Sequence, residues 1–209
     1  LYGGITTFNG IGGHYGDPDQ PLILETDEAF NTFEKIKISD LLVLNVDSDH
    51  LDYFKNLDNY KDAFYKVMKN VTDNLVINND DLNIKSMKDL KNPVSYGKDI
   101  SADFKVQSPG TFIYENNKYE IKSDIIGDHF KSNMLGAIIL ALLNGIEIKD
   151  SLNAIESFAG VKRRIELIGI SKGVLIYDDY GHHPTEMEAT ITALKQQTKS
   201  KLYVVFQPH

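Results

Sequence analysis

Apolar residues in this chain fall either into short unbroken runs or into helical spacing. Leu22-Ile23-Leu24 and Leu41-Leu42-Val43-Leu44-Asn45-Val46 are short runs bounded by polar residues, the pattern of strands buried on both faces. Helical patterns follow them, at Ala29 to Ile36 and at Tyr60 to Lys69, where Phe64, Val67 and Met68 share a stripe. Residues 73–127 change character. Val76-Ile77 precedes Asn78-Asn79-Asp80, and then Phe104 with Val106, Phe112 with Tyr114 and Tyr119 with Ile121 alternate, the last two pairs reading as a hairpin around Asn116-Asn117. The longest helical pattern runs from Asp128 to Asn144 with Gly145 as its stop, and Ser151 to Phe158 gives another. After Gly160-Val161-Lys162, which reads as a linker, come strand signals at Ile165–Ile170 and Val174–Tyr177, a helix from Pro184 to Gln197 and a strand at Leu202–Phe206. The order predicts an α/β fold: a central, mostly parallel sheet flanked by helices, with a small β-rich insertion, followed by the first βαβ unit of a second domain.

The 209 residues suffice for one or two domains, and no apolar run reaches the roughly 20 residues that a membrane helix needs. The absence of cysteine excludes disulfides, thiolate metal sites and cysteine nucleophiles, and fits a cytoplasmic setting. A formal charge of −8 argues against nucleic acid as a partner. That charge is local, because residues 1–60 hold eleven acids against three lysines and the remainder is balanced. The opening Leu1-Tyr2-Gly3-Gly4, without a start methionine, reads as a piece of a longer protein.

Both early strand signals end in acids: Glu25, Asp27 and Glu28 after the first, Asp47 and Asp49 with His50 after the second. Ligands of α/β sheets gather at the carboxyl ends of strands, and carboxylates are the oxygen donors that magnesium takes. Helix capping by Asp27 and turn closure by Asp47 or Asp49 are the competing explanations. Asp178-Asp179-Tyr180-Gly181-His182-His183-Pro184-Thr185-Glu186 places polar groups at another strand end and aims a helix N-terminus at the same place, where anions are favoured. Pro184 and Glu186 suit the first turn of a helix and are explained by capping, whereas two adjacent histidines are not. Zinc is disfavoured for them, since no third nitrogen or sulfur ligand stands at ligand spacing. Lys162-Arg163-Arg164 is either a solvated basic patch or the source of a guanidinium fork for a phosphate. Gly127, His129 and Asn133 mark the start of the longest helix, where capping and solvent exposure are the plain alternatives.

Taken in order, these segments resemble the Mur ligases, and among them the alanine-adding branch. Leu24-Glu25-Thr26-Asp27-Glu28 is similar to the family's Glu-Ala-Asp-Glu segment, and Asn45 through Tyr53 to its Asn-x-x-x-Asp-His-x-Asp segment. Gly127-x-His129-x-x-x-Asn133 resembles Gly-x-His-Asn-x-x-Asn. Ser157 to Glu166 resembles the junction into the third domain, and Asp178–Glu186 with Phe206-Gln207-Pro208-His209 that domain's first two signatures. Two positions depart from the pattern: Phe30 stands where an acid is expected, and Phe130 where the first amide of the His-Asn pair is expected, leaving an aromatic ring to stack on a base.

The resemblance implies a cytoplasmic, ATP- and Mg2+-dependent ligase that joins L-alanine to UDP-N-acetylmuramate through an acyl phosphate. Two other readings stand beside it, a ligase of the same family that recycles peptide onto UDP-N-acetylmuramate and an inactive binding fragment. Residues 1–161 would be the central ATPase domain and 162–209 the start of a Rossmann-like amino-acid domain. No Gly-x-x-Gly-Lys-Thr phosphate loop occurs in the chain, so these residues alone are expected not to hydrolyse ATP. The implied roles are Glu25 and His50 as magnesium ligands, Arg164 as phosphate clamp, His129 and Asn133 toward the base and Asp179 toward the ribose. Tyr180, His182 and His209 would line the amino-acid and muramoyl side, with Arg164, His182 and His209 catalytic.

Overall fold

The computed structural model describes residues 5, 6, 10, 12, 13, 16–26 and 28–207, without the side chain of Phe30; Asp27 and His209 lie outside it. Two compact units divide the chain. One, here the sheet unit, comprises Asp27–Lys122 and Lys131–Glu156, and the other, the hairpin unit, comprises Leu1–Thr26, Ser123–Phe130 and Ser157–His209.

The sheet unit is built on six strands in sequential order: β1 (Leu41–Val43), β2 (Leu75–Asn78), β3 (Val94–Gly97), β4 (Phe104–Ser108), β5 (Thr111–Tyr114) and β6 (Asn117–Glu120). The first four are parallel and β4–β6 extend the sheet in antiparallel sense. Alternation along β1 and β2 sends two apolar sets to opposite faces. Leu41, Val43, Leu75 and Ile77 join a core with Phe33 of a short 3-10 helix (Ala29–Lys35), Phe54 of α1 (Leu51–Phe54), Tyr60, Ala63, Val67 and Met68 of α2 (Leu57–Lys69) and Ile84 of α3 (Leu82–Ser86). On the other face, Leu42 and Tyr96 meet α4 (Asp128–Leu143) at Gly136, where a Cβ would come within 2.8 Å of Leu42 Cδ1. Glycine at that position lets the helix approach the sheet closely. The β5–β6 hairpin is joined by Glu115 and Asn116, at φ 48° and 63°, the left-handed pair of a type I′ turn and the hairpin that the sequence predicts. Helix α5 (Ile148–Ser157) follows Gly145, which ends α4 at φ 84°.

The hairpin unit contains β7 (Glu166–Ser171) and β8 (Val174–Asp178), paired antiparallel through Lys172 and Gly173, and α6 (Pro184–Gln197). Within it Val161 bridges Thr6, and the Lys162 amide donates to the Ile5 carbonyl, so the segment read as a linker carries its own backbone contacts. Two strand expectations fail. Leu22–Leu24 and Leu202–Phe206 form no strand, with Ile23 82 % and Val205 100 % exposed. An apolar run becomes a strand only where a neighbour supplies ladder hydrogen bonds and other elements cover its faces, and the exposure of Ile23 and Val205 shows those faces uncovered. Among those residues no helix is long and apolar enough to cross a membrane.

Candidate functional site

In the sheet unit the site is assembled beyond the carboxyl end of β1. Past Val43 the chain stays extended, and side chains from the next strand and helix pin it there. Asn78 Nδ2 donates to the Leu44 carbonyl at 3.0 Å and Asn83 Nδ2 to the Val46 carbonyl at 2.6 Å, while Asp81 Oδ2 accepts from the Val46 amide at 3.2 Å. Asp81 also caps α3 through its other oxygen, so one carboxylate fixes both the helix and the strand extension. Val46 is fully buried. The residues following it are thereby delivered to one place.

There Glu28, Asp49 and His50 converge, each with one ligand-type atom within 4.8 Å of the others. His50 is left-handed, at φ 50° and ψ 36°, at the N-terminus of α1, and Asp49 Oδ1 accepts from its amide at 2.7 Å. A non-glycine residue in this region costs about 1 kcal/mol, a strain that clusters at functional positions. Glu28 accepts a 2.9 Å hydrogen bond from the Tyr60 hydroxyl. Burial, and then Glu28 itself, push that hydroxyl well above the ordinary tyrosine range, so it stays protonated and donates. Two carboxylates with one imidazole form an oxygen-rich set that suits a hard divalent cation better than zinc.

Of the acids singled out in the sequence, the structure gathers Glu28 and Asp49 with His50. Glu25 lies in the exposed stretch of the hairpin unit that forms no strand. Asn133 is half-buried on α4, four residues after His129.

The hairpin unit carries the second group. Asp179, at the end of β8, accepts from the Ile165 amide (2.8 Å) through Oδ2, and from the Gly181 amide (2.8 Å) and Thr190 hydroxyl (3.2 Å) through Oδ1. A Cβ on Gly181 would lie 2.6 Å from Asp179 Oδ1, so glycine is what lets the chain turn over the carboxylate. Arg163 pairs with Asp178 at 3.4 Å and Arg164 with Glu186 at 3.6 Å, their guanidinium carbons 4.9 and 6.0 Å from the Tyr180 ring centre. The two histidines differ. His183 caps α6, its Nδ1 accepting from the Thr185 amide at 3.4 Å with Pro184 following in the first turn. His182 is exposed, packs edge-on against Tyr180 at 5.4 Å, and its amide donates to Glu186 Oε2 at 3.3 Å.

A groove of about 270 Å³ runs beside α6, lined by Asp128, His129, Thr185, Glu188 and Gln196 among others. Burial holds the His129 imidazole below its ordinary range, outweighing Asp179 and Asp128. Its ring lies 4.2 Å from that of Phe130. Tyr60 is the residue that sequence reasoning passed over. The only signal was its place on the α2 stripe, which marks burial and gives no hint of a carboxylate partner.

The family model described as Mur ligase middle domain matches residues 27–141, and that described as Mur ligase, glutamate ligase domain matches 163–209. UDP-N-acetylmuramate–L-alanine ligase of Clostridium botulinum strain Hall is 39 % identical over 181 residues, covering 80 % of this chain and 40 % of its own length. The enzyme of that name from Caldicellulosiruptor saccharolyticus is 36 % identical over 202 residues, covering 90 % and 44 %. Among solved structures, UDP-N-acetylmuramate-alanine ligase MurC from Thermotoga maritima superposes with a TM-score of 0.64 at 25 % identity, over 79 % of this chain and 40 % of that one. MurF from Acinetobacter baumannii shares the fold, with a TM-score of 0.65 at 21 % identity over 80 % and 39 % of the chains. The chain thus spans about two fifths of the length of the curated relatives it matches.

Proposed function

The chain belongs to the Mur ligase family, and on that premise we propose that it forms part of an ATP-dependent ligase joining L-alanine to UDP-N-acetylmuramate in the cytoplasm. The observation that carries this reading is the convergence of Glu28, Asp49 and His50 at the carboxyl end of a parallel strand in the matched middle domain. The curated relatives bearing the alanine-ligase name support the choice of substrate.

Residues 1–161 act as the central ATPase domain without its phosphate loop, and 162–209 begin the amino-acid domain. Glu25 and His50 would be the Mg2+ ligands, with Glu28 and Asp49 as further donors beside His50, and the ion would supply charge neutralisation for phosphoryl transfer. Arg164 clamps phosphate with its fork of donors, and its 3.6 Å pair with Glu186 on the exposed side is weak enough to exchange. Asp179 holds the ribose of ATP: its carboxylate has room for about four hydrogen bonds and receives three from its own unit. His129 and Asn133 contact the base. Tyr180, His182 and His209 line the amino-acid and muramoyl side. A substrate carboxylate oxygen attacks the γ-phosphorus of ATP, the bond to the β–γ bridging oxygen breaks, and ADP leaves as the acyl phosphate forms. The amino group of L-alanine attacks it, and loss of phosphate leaves the amide.

The test is made on the full-length parent with UDP-N-acetylmuramate, ATP and Mg2+. Phosphate release that depends on L-alanine is the expected result. Release that depends on a cell-wall peptide instead would assign the parent to the recycling ligase, and no release with either would leave the binding-fragment reading. ATP turnover by the 209 residues alone would overturn the assignment of catalysis to a phosphate loop that they lack.

A further inference from the structure

Tyr60 does more than fill the core. Its ring, 3 % exposed, is the middle of a chain of aromatic contacts: Phe33 to Phe64 at 5.1 Å, Phe64 to Tyr60 at 5.1 Å and Tyr60 to Phe54 at 5.1 Å. Phe33 lies five residues after Glu28, and Phe54 four residues after His50. The rings therefore tie together the two backbone segments that carry the converging side chains. Glu28 precedes the 3-10 helix yet makes no side-chain cap with it. Its carboxylate instead accepts from Tyr60, 32 residues away. A neutral donor on one oxygen leaves the formal charge and the remaining lone pairs of that carboxylate available to a cation.

We infer that Tyr60 is the positioning residue of the cation site, its hydroxyl holding Glu28 where it meets Asp49 and His50. This deepens the cation reading proposed above and rests on it. A rigid aromatic platform that fixes a ligating carboxylate does what outer partners do for metal ligands generally, lowering the cost of ordering the ligand when the ion arrives. The competing account has the hydroxyl seeking any acceptor in a buried setting, with Glu28 the nearest. On that account phenylalanine would serve the site equally well.

A double-mutant cycle on the 209-residue chain separates the two, with Mn2+ as the probe. Free Mn2+ is followed by electron paramagnetic resonance and the His50 ring protons by NMR broadening. Tyr60→Phe keeps the ring and is expected to weaken Mn2+ binding about tenfold, the lower end of the usual effect of losing an outer partner. In a Glu28→Gln background the same change should add less than about twofold, because the carboxylate through which Tyr60 acts is gone. An unchanged Mn2+ affinity in Tyr60→Phe, or an equal loss in both backgrounds, overturns the inference while leaving the cation site in place. Wild-type His50 resonances left sharp by Mn2+ would sink the cation reading itself, and Tyr60 with it. Circular dichroism and melting of each variant check that the fold is retained.

Discussion

The six-stranded sheet and the β7–β8 hairpin are both made of apolar strands, and different forces hold them in place. In the sheet, β2 and Phe112 of β5 are buried, and the side chains that converge beyond β1 are fixed from behind by a packed core. In the hairpin Ile168, Ile170, Val174 and Leu175 are 59, 66, 60 and 52 % exposed. What holds the loop at its end is polar: Asp179 accepts from three donors, the Arg163 amide donates to the Glu166 carboxylate of β7 at 2.8 Å, and the Tyr180 amide donates to the Arg163 carbonyl at 2.8 Å. Two groups of candidate site residues are thus positioned by two kinds of physics, burial in one and charge with hydrogen bonding in the other.

The largest effect that contrast predicts is on stability. Phe112→Ala removes a fully buried ring packed on Phe104 and Tyr119, and should cost about 3–5 kcal/mol in denaturant unfolding. Leu175→Ala, at a half-exposed strand position, should stay within about 0.5 kcal/mol. Comparable losses at both sites would show that the hairpin is held by packing after all.

On activity the order reverses. His182→Ala leaves the backbone contact to Glu186 and the His183 cap intact and gives up an exposed 3.2 Å contact between Nδ1 and the Tyr180 carbonyl and the edge-on packing against the Tyr180 ring, so melting of the full-length parent should move little. Alanine-dependent phosphate release should nevertheless fall about two orders of magnitude, the scale of one positioned polar group, and His209→Ala should behave alike. A drop in melting temperature with turnover preserved would make His182 part of the helix cap.

The hairpin unit also carries a pH signature. Burial keeps the His129 imidazole below its ordinary value of 6.5 in the folded state, so the unfolded chain binds the proton first as pH falls. Stability from this residue is therefore present above about pH 6.5 and drains away as pH descends through the folded midpoint. NMR titration of the His129 ring should give a midpoint under 6.5. Replacing Asp179, whose charge opposes the shift, by Asn should push it lower still.

How much of this the sequence discloses follows from what each pattern measures. Runs such as Leu41 to Val46, which holds β1, are legible because a parallel strand is apolar on both faces, and the start of α6 is legible because Pro184 and Glu186 obey local rules. Leu22–Leu24 and Leu202–Phe206 carry the same strand signal and form none, since pairing depends on a neighbour that no local run encodes. The acids Glu28 and Asp49 belong to a group that the pattern marks. Which of the marked acids converge is decided by the extended segment that Asn78, Asn83 and Asp81 pin. The bond from Tyr60 to Glu28 spans 32 positions, and a helical stripe says only that Tyr60 faces inward. His182 and His183 are adjacent and alike in sequence, yet only the structure separates the cap from the exposed ring.

The smallest predicted effect compares the same turn in the two regions. Glu115-Asn116 and Lys172-Gly173 are both left-handed pairs, at φ 48° and 63° and at φ 49° and 81°. A Cβ on Gly173 would meet nothing within 4 Å, so Gly173→Ala should cost only the conformational penalty of a left-handed alanine, about 1 kcal/mol. Asn116→Gly makes the first turn like the second. Asparagine already tolerates this region, and glycine raises the entropy of the unfolded chain, so the two effects nearly cancel and the gain should be no more than a few tenths of a kcal/mol. Urea unfolding of both variants measures the difference. A gain near 1 kcal/mol from Asn116→Gly would mean that the sheet's packing forces this turn against its own preference, whereas a null result leaves the hairpin's register to the turn residues themselves.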